Sequence, residues 1–257
     1  MKILEVNALG KQYGGLVAAK DISFDVENGS ITAVIGPNGA GKTTLFNMIS
    51  GFVTPTGGLV RFEGNDLTGF SPDQIAKLGL VRTFQLVQLF KSLTVLENVE
   101  VGSHLRTQGN LGAALLRPGW ARQQELDVRK NANAILSSVG LSAHAEDLAG
   151  ILPYGQQRLL EIARALAAEP KLLLLDEPAA GLDRNETERL AEIIRNVAAN
   201  GTTVLLIEHD MSLIMDIAQH IVVLDFGRCI ASGTPDQIRK DPAVLEAYLG
   251  GMEATHV

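Results

Sequence analysis

The chain has 257 residues, 46% hydrophobic and 20% charged, enough to bury the core of one large α/β domain or of two smaller lobes. A net charge of −7 argues against nonspecific nucleic-acid binding, which relies on a basic surface. The single cysteine, Cys229, excludes an internal disulfide framework and suits a reducing compartment.

Met1-Lys2-Ile3-Leu4-Glu5 meets an acidic residue almost at once, so no signal peptide is expected there. No apolar run approaches the roughly 20 residues needed to cross a bilayer. The expectation is a chain that is soluble, or that sits on a membrane by holding a partner. Ile3–Val6, Lys20–Val26 and Leu59–Phe62 have the short, β-branched, alternating look of strands. Tyr13, beside Gly14 and Gly15, is either a base-stacking aromatic or an ordinary strand-end residue.

The run Gly36-Pro37-Asn38-Gly39-Ala40-Gly41-Lys42-Thr43-Thr44 fits the phosphate-loop pattern G-x-x-x-x-G-K-[ST] without a mismatch. A buried strand, Ser30–Ile35, precedes it and a helix from Leu45 to Ile49 follows. That order aims backbone N–H groups and a helix N-terminus at one point, which favours a phosphate. Lys42 is placed to reach the β- and γ-phosphates, and the Thr43 hydroxyl to ligate Mg²⁺.

Ser71-Pro72-Asp73-Gln74 predicts a capped helix start. Leu80–Phe84 then reads as a strand ending at Gln85. Thr94–Glu97 is a second capping box, and the chain looks helical from there to about Gly140, broken at Arg117-Pro118-Gly119-Trp120. Arg106, Arg117, Arg122, Arg129 and Lys130 make this the most basic region. It reads either as a solvated helical face with Trp120 packed beneath it, or as a docking surface for a partner or lipid headgroups.

Leu159, Ile162, Ala163 and Leu166 recur at helical spacing. Glu169-Pro170 stops that helix, and the apolar run Lys171–Leu175 reads as a strand buried on both faces of a parallel sheet. A helix carrying Leu190, Ile193, Ile194 and Val197 follows, and then a second buried strand, Thr203–Ile207. This alternation predicts a parallel sheet with helices on both faces. Ligands gather at the carboxyl ends of such strands, so Asp176 should emerge beside the phosphate loop and hold Mg²⁺. Glu177 follows at once, placed to orient or deprotonate the attacking water. His209 leaves the next strand end, where it could hydrogen-bond the γ-phosphate.

Tyr13, Gly36–Thr43, Gln85, Leu152–Arg158 (LPYGQQR), Leu172–Pro178 (LLLLDEP), Gly181-Leu182-Asp183 and His209 occur in the order of the ABC ATPase family, which the chain resembles over nearly its whole length. DEPAAGL, Ile207–Met211 (IEHDM) and the ending GTPDQIRKDPAVLEAYLG look like the ATPase subunit of a branched-chain amino acid importer. The resemblance implies a P-loop NTPase (RecA-like) α/β core with an antiparallel β subdomain and an inserted α-helical subdomain. One ATPase domain would fill residues 1–257: β subdomain plus core over 1–84 and 151–230, helical subdomain over 85–150, and a helical tail over 231–257.

By the same resemblance Tyr13 stacks on adenine, Gln85 senses Mg²⁺ and the partner subunit, and His209 is the switch histidine. Asp183 would lie in the loop joining the two active sites of a dimer. Gly155 and Gln156 belong to the signature that closes on nucleotide across that dimer. The usual signature has serine and glycine where this chain has Pro153 and Tyr154, so the serine hydroxyl is missing and Gly155 with the helix start remains. The implied cofactors are ATP and Mg²⁺. The implied partners are a second ATPase subunit, identical or not, transmembrane permease subunits and, indirectly, a substrate-binding protein, with no nucleic acid. The implied place is the cytoplasm, peripheral on the inner face of the membrane. The rivals are an ATPase for another cargo, such as urea or an exported lipopolysaccharide, a non-transport ABC ATPase, and a small-molecule P-loop kinase.

Overall fold

The computed structural model describes residues 1–83, 85, 87–103 and 119–253. Strand β1 (Lys2–Tyr13) turns at Gly14-Gly15 into the antiparallel β2 (Leu16–Glu27). Both are longer than the expected Ile3–Val6 and Lys20–Val26. Several register shifts interrupt the pairing, so the apolar alternation breaks while the strands run on. With β4 (Gly57–Phe62) and β5 (Asn65–Asp66) they form a four-stranded antiparallel sheet in the order β2-β1-β4-β5.

β3 (Ile31–Ile35), β7 (Leu172–Asp176) and β8 (Thr203–Ile207) are buried at every position, as strands covered on both faces must be. β6 (Leu80–Arg82), β9 (His220–Asp225) and β10 (Arg228–Gly233) complete a six-stranded sheet in the order β10-β9-β3-β8-β7-β6. All its pairs are parallel except the β9–β10 hairpin. The period of two divides the apolar side chains between two cores. Val34, Leu174, Leu205 and Val222 face the antiparallel sheet and α1 (Lys42–Ile49). Ala33, Leu173, Leu206 and Val223 face the helices of the other layer.

That layer contains α5 (Tyr154–Leu166), α6 (Arg184–Ala199) and α7 (Met211–Ile217). α2 (Pro72–Leu78) begins at the expected Ser71 capping box and leads into β6. β6 ends at Arg82, two residues short of the expected Phe84, which lies outside the described residues. α3 (Val95–Gly102) starts at the Thr94–Glu97 capping box, with bonds of 3.1 and 2.7 Å. It packs against α5 and against α4 (Gly119–Ser138). α4 starts at Gly119, so Gly119 and Trp120 lie in its first turn, while Arg117-Pro118 of the expected break lie outside the described residues. Arg106, Arg117 and the rest of 104–118 lie outside the described residues, while Arg122, Arg129 and Lys130 are exposed on α4. The short α8 (Pro235–Ile238) and α9 (Pro242–Glu253) end the described chain, and Val244 and Tyr248 pack into the helical-layer core. Among the described residues no helix is long and apolar enough to cross a membrane.

Candidate active site

β3 delivers the chain into the loop at Gly36. A side chain there would lie 2.0 Å from the Leu224 carbonyl oxygen, so only glycine lets β9 pass this close. Gly39 and Gly41 hold φ of 82° and 95°, the left-handed turns that aim the loop's N–H groups inward. Gly41 caps α1 without a side-chain bond, which leaves the first-turn donors for an anion. The helix begins at Lys42, earlier than the expected Leu45. The β9–β10 turn pins the loop from behind: Gly227 N–H donates to Ala40 O at 3.1 Å, and Lys20 N–H to Gly227 O at 2.7 Å.

Lys42 Nζ donates to the carbonyls of Gly36 (2.7 Å) and Pro37 (2.9 Å) at the centre of this cradle. Burial pushes its pKa down, and the nearby Glu177 and Asp176 carboxylates oppose that shift. A cavity of about 410 Å³ opens over the loop, lined also by Leu16, Val17, Glu177, His209 and Phe226. A larger cleft of about 570 Å³ lies at the opposite ends of β7 and β8, beside Lys171 and Thr202, and contains none of these groups. The chemistry belongs to the smaller one.

β7 and β8 carry the carboxylates and the histidine to this rim. Glu177 has a φ of +47°, strained for a residue other than glycine, and its N–H donates to Ile207 O at 3.0 Å. Its side chain is held on both oxygens: Oε1 lies 2.9 Å from His209 Nε2, and Oε2 accepts from Gln85 Nε2 at 2.7 Å. Three predicted residues from three strand ends thus meet at one carboxylate. Glu208 splints them from below. Its buried carboxylate accepts from the backbone N–H groups of Ala179 (2.6 Å), His209 (2.9 Å) and Asp210 (3.4 Å), while burial pushes its pKa up.

Two arginines in the site escaped the sequence reading. Arg82 Nη2 donates to Asp176 Oδ2 at 2.7 Å, with both side chains buried. Arg158, buried at the start of α5, donates from Nη2 to the carbonyls of Gln85 and of Glu177, the latter at 3.3 Å. The signal for Arg158 was its place in LPYGQQR. For Arg82 there was none beyond a charge on a strand otherwise apolar.

Tyr13 stands at the end of β1, 46% exposed, with the Lys11 ammonium 5.1 Å from its ring centre. It does not line the cavity; Leu16 and Val17, just past the turn, do. Gly155 and Gln156 do not line it either. Pro153 caps α5 without a side-chain bond. Gly155 packs on α6, where a Cβ would come 2.1 Å from Glu186 Oε1. Asp183 is the N-cap of that helix, accepting from Glu186 N–H at 2.9 Å.

The donor set suits Mg²⁺. Thr43 lines the cavity, Asp176 lies buried at the end of β7 with Oδ2 bonded to Arg82, and Gln85 is bonded to Glu177. All three carry hard oxygens, and among the described residues no cluster of three or more His, Cys, Asp or Glu forms a dedicated cage. Mg²⁺ sites of this kind use one or two protein oxygens and are completed by phosphates and water.

Residues 19–180 match the ABC transporter family, and residues 228–254 match the branched-chain amino acid ATP-binding cassette transporter family. The high-affinity branched-chain amino acid transport ATP-binding protein BraF of Pseudomonas aeruginosa is 47% identical over 249 residues, covering 96% of this chain and 98% of that protein. A crystal structure of an ABC transporter ATP-binding cassette in its ADP conformation is similar with a TM-score of 0.84 at 36% identity, covering 97% of this chain and 99% of that one. A dimeric structure of a bacterial ABC transporter cassette is similar with a TM-score of 0.75 at 27% identity, covering 90% and 98%. A nucleotide cradle in the expected fold and family matches to both its core and its tail make this chain a member of the ABC transporter ATP-binding cassette family, in its branched-chain amino acid branch.

Proposed function

We propose that the chain is the ATP-hydrolysing motor subunit of an importer for branched-chain amino acids. Glu177, held between Gln85 and His209 at the mouth of the phosphate-loop cavity, carries this reading. Lys42 and the loop N–H groups bind the β- and γ-phosphates, and Thr43 and Asp176 hold Mg²⁺, with Gln85 beside them. Bound Mg²⁺ would supply charge neutralisation between the phosphates. Glu177 orients and deprotonates the attacking water, and His209 hydrogen-bonds the γ-phosphate side. Leu16 and Val17 offer the base an apolar surface at the cavity, and Tyr13, just before the turn, is the aromatic that would stack on it.

Gly155, Gln156 and the open start of α5 serve the nucleotide of a second ATPase subunit, which fits their absence from the lining of the cavity over their own loop. The division into a β subdomain with core, an inserted helical subdomain and a tail follows from the same reading. ATP closes the dimer, and hydrolysis reopens it. Separate permease subunits turn the motion into transport, with a substrate-binding protein upstream and the ATPase on the inner face of the membrane. The cargo is inferred from relatives such as BraF, because the cargo site belongs to another polypeptide.

The test is reconstitution of this chain with its permease subunits in liposomes. Leucine uptake should require ATP and vanish in Lys42→Ala, whose purified form should also lose most ATP affinity. Uptake of another solute class with no leucine uptake would overturn the cargo assignment. Wild-type affinity and turnover in a folded Lys42→Ala would overturn the site.

A further inference from the structure

Arg82 joins the two elements that carry Asp176 and Thr43. Nη2 donates to Asp176 Oδ2 at 2.7 Å, and Nη1 donates to Asn47 Oδ1 at 2.8 Å and to Ser50 Oγ at 3.0 Å. Asp176 ends β7. Asn47 lies on α1 and Ser50 caps its end, and α1 is the helix whose first turn carries Thr43. The guanidinium also lies over the rings of Phe46 and Phe52, at 5.7 and 5.8 Å. Only 6% of the Arg82 side chain and 4% of that of Asp176 is exposed. A planar fork with several fixed donors holds such partners at set distances, which a lysine ammonium does not.

We propose that Arg82 is a positioning residue for the metal: it occupies Asp176 Oδ2, turns Oδ1 to the ion, and sets the spacing between Asp176 and Thr43 by tying β7 to α1. A surface pair would do none of this. A merely structural buried pair would support the fold without favouring the metal-bound nucleotide over the metal-free one.

Arg82 has this role only if Asp176 faces Mg²⁺, as proposed above, so Asp176→Asn serves as the control. The probe is a fluorescent ATP analogue, titrated into the full chain first in EDTA and then over a range of Mg²⁺ concentrations. Groups that orient metal ligands are typically worth about 10- to 100-fold in metal affinity. Arg82→Gln should therefore raise the Mg²⁺ concentration for half-maximal tightening by about tenfold or more. Its affinity in EDTA should stay within about twofold of wild type.

Arg82→Lys, which keeps the charge but not the fork, should fall between. Should Arg82→Gln fail to fold, Asn47→Ala leaves the ion pair intact and removes one anchor. It should shift the Mg²⁺ midpoint the same way, by about twofold or more. An unchanged midpoint overturns the proposal. So does a lowered one, which would make the guanidinium a competitor of the cation, and so does an equal loss with and without Mg²⁺. If Asp176→Asn also leaves the midpoint unchanged, it is the reading of Asp176 that fails. A shift in Asp176→Asn alone rejects only the role of Arg82.

Discussion

Glu177 is presented to the cavity by a strained backbone and two side-chain contacts, an arrangement that fixes a carboxylate instead of merely exposing it. Glu177→Gln keeps the size and much of the hydrogen-bonding reach and removes the base. ATP affinity should hold, and turnover should fall by about 10²- to 10⁴-fold, the range for a lost general base. Pre-steady-state binding and phosphate release separate the two; full turnover in the variant would move the catalytic role to His209. At this scale the strand-end places of the phosphate loop, Asp176 and Glu177 were legible because each motif is local, a few residues long, whereas the reading of His209 rested on the family resemblance. Arg82 and Arg158 were not legible. Their partners lie 94 and 73 residues away along the chain, and no spacing rule reaches that far.

Elements repeat the contrast. The wholly apolar β7 and β8 declared themselves as buried parallel strands, and the capping boxes at Ser71 and Thr94 gave true helix starts. β1 was seen at a third of its length and β2 at little more than half, because their bulges put polar residues where alternation would demand apolar ones. The contact between α5 and α6 was not readable at all, yet it makes a prediction. Glu186 both accepts from Asp183 N–H at 3.0 Å and blocks a methyl group on Gly155. Glycine in a helix normally costs about 0.8–1.0 kcal/mol relative to alanine. Gly155→Ala should nonetheless leave stability about unchanged, because Glu186 must leave its capping box and the lost cap interaction, about 1 kcal/mol, offsets that gain. In a Glu186→Ala background the same change should stabilise. Urea midpoints of the four proteins give the coupling directly, and a Gly155→Ala effect of the same size in both backgrounds would reject the contact as the cause.

Across the whole molecule, the open start of α5 does not line the cavity over the loop of its own chain, so a complete site calls for two copies or two subunits. Glu177→Gln should therefore accumulate as an ATP-bound dimer. Light scattering should show about twice the mass with ATP and the monomer with ADP, with the native partner subunits added if the Pro153 signature closes weakly. No dimer under any of these conditions would leave the hydrolytic site standing and remove the motor scheme. The strand order also dictates timing. β3, which bears the phosphate loop, takes both its neighbours, β8 and β9, from the last part of the sheet to be made; Gly29 and Thr203 touch across a separation of 174 residues. At roughly 5–20 residues per second of synthesis, Ile31–Ile35 waits about 10–35 s for its first partner strand. During that interval an apolar strand with two open edges must be shielded. A chain cut short before Thr203 has no sheet in which to hold its nucleotide loop. Nascent chains should pass from protease-sensitive to protected only once β8 and β9 have left the ribosome, so synthesis interrupted before β8 yields waste for degradation and not a half-built ATPase that burns fuel.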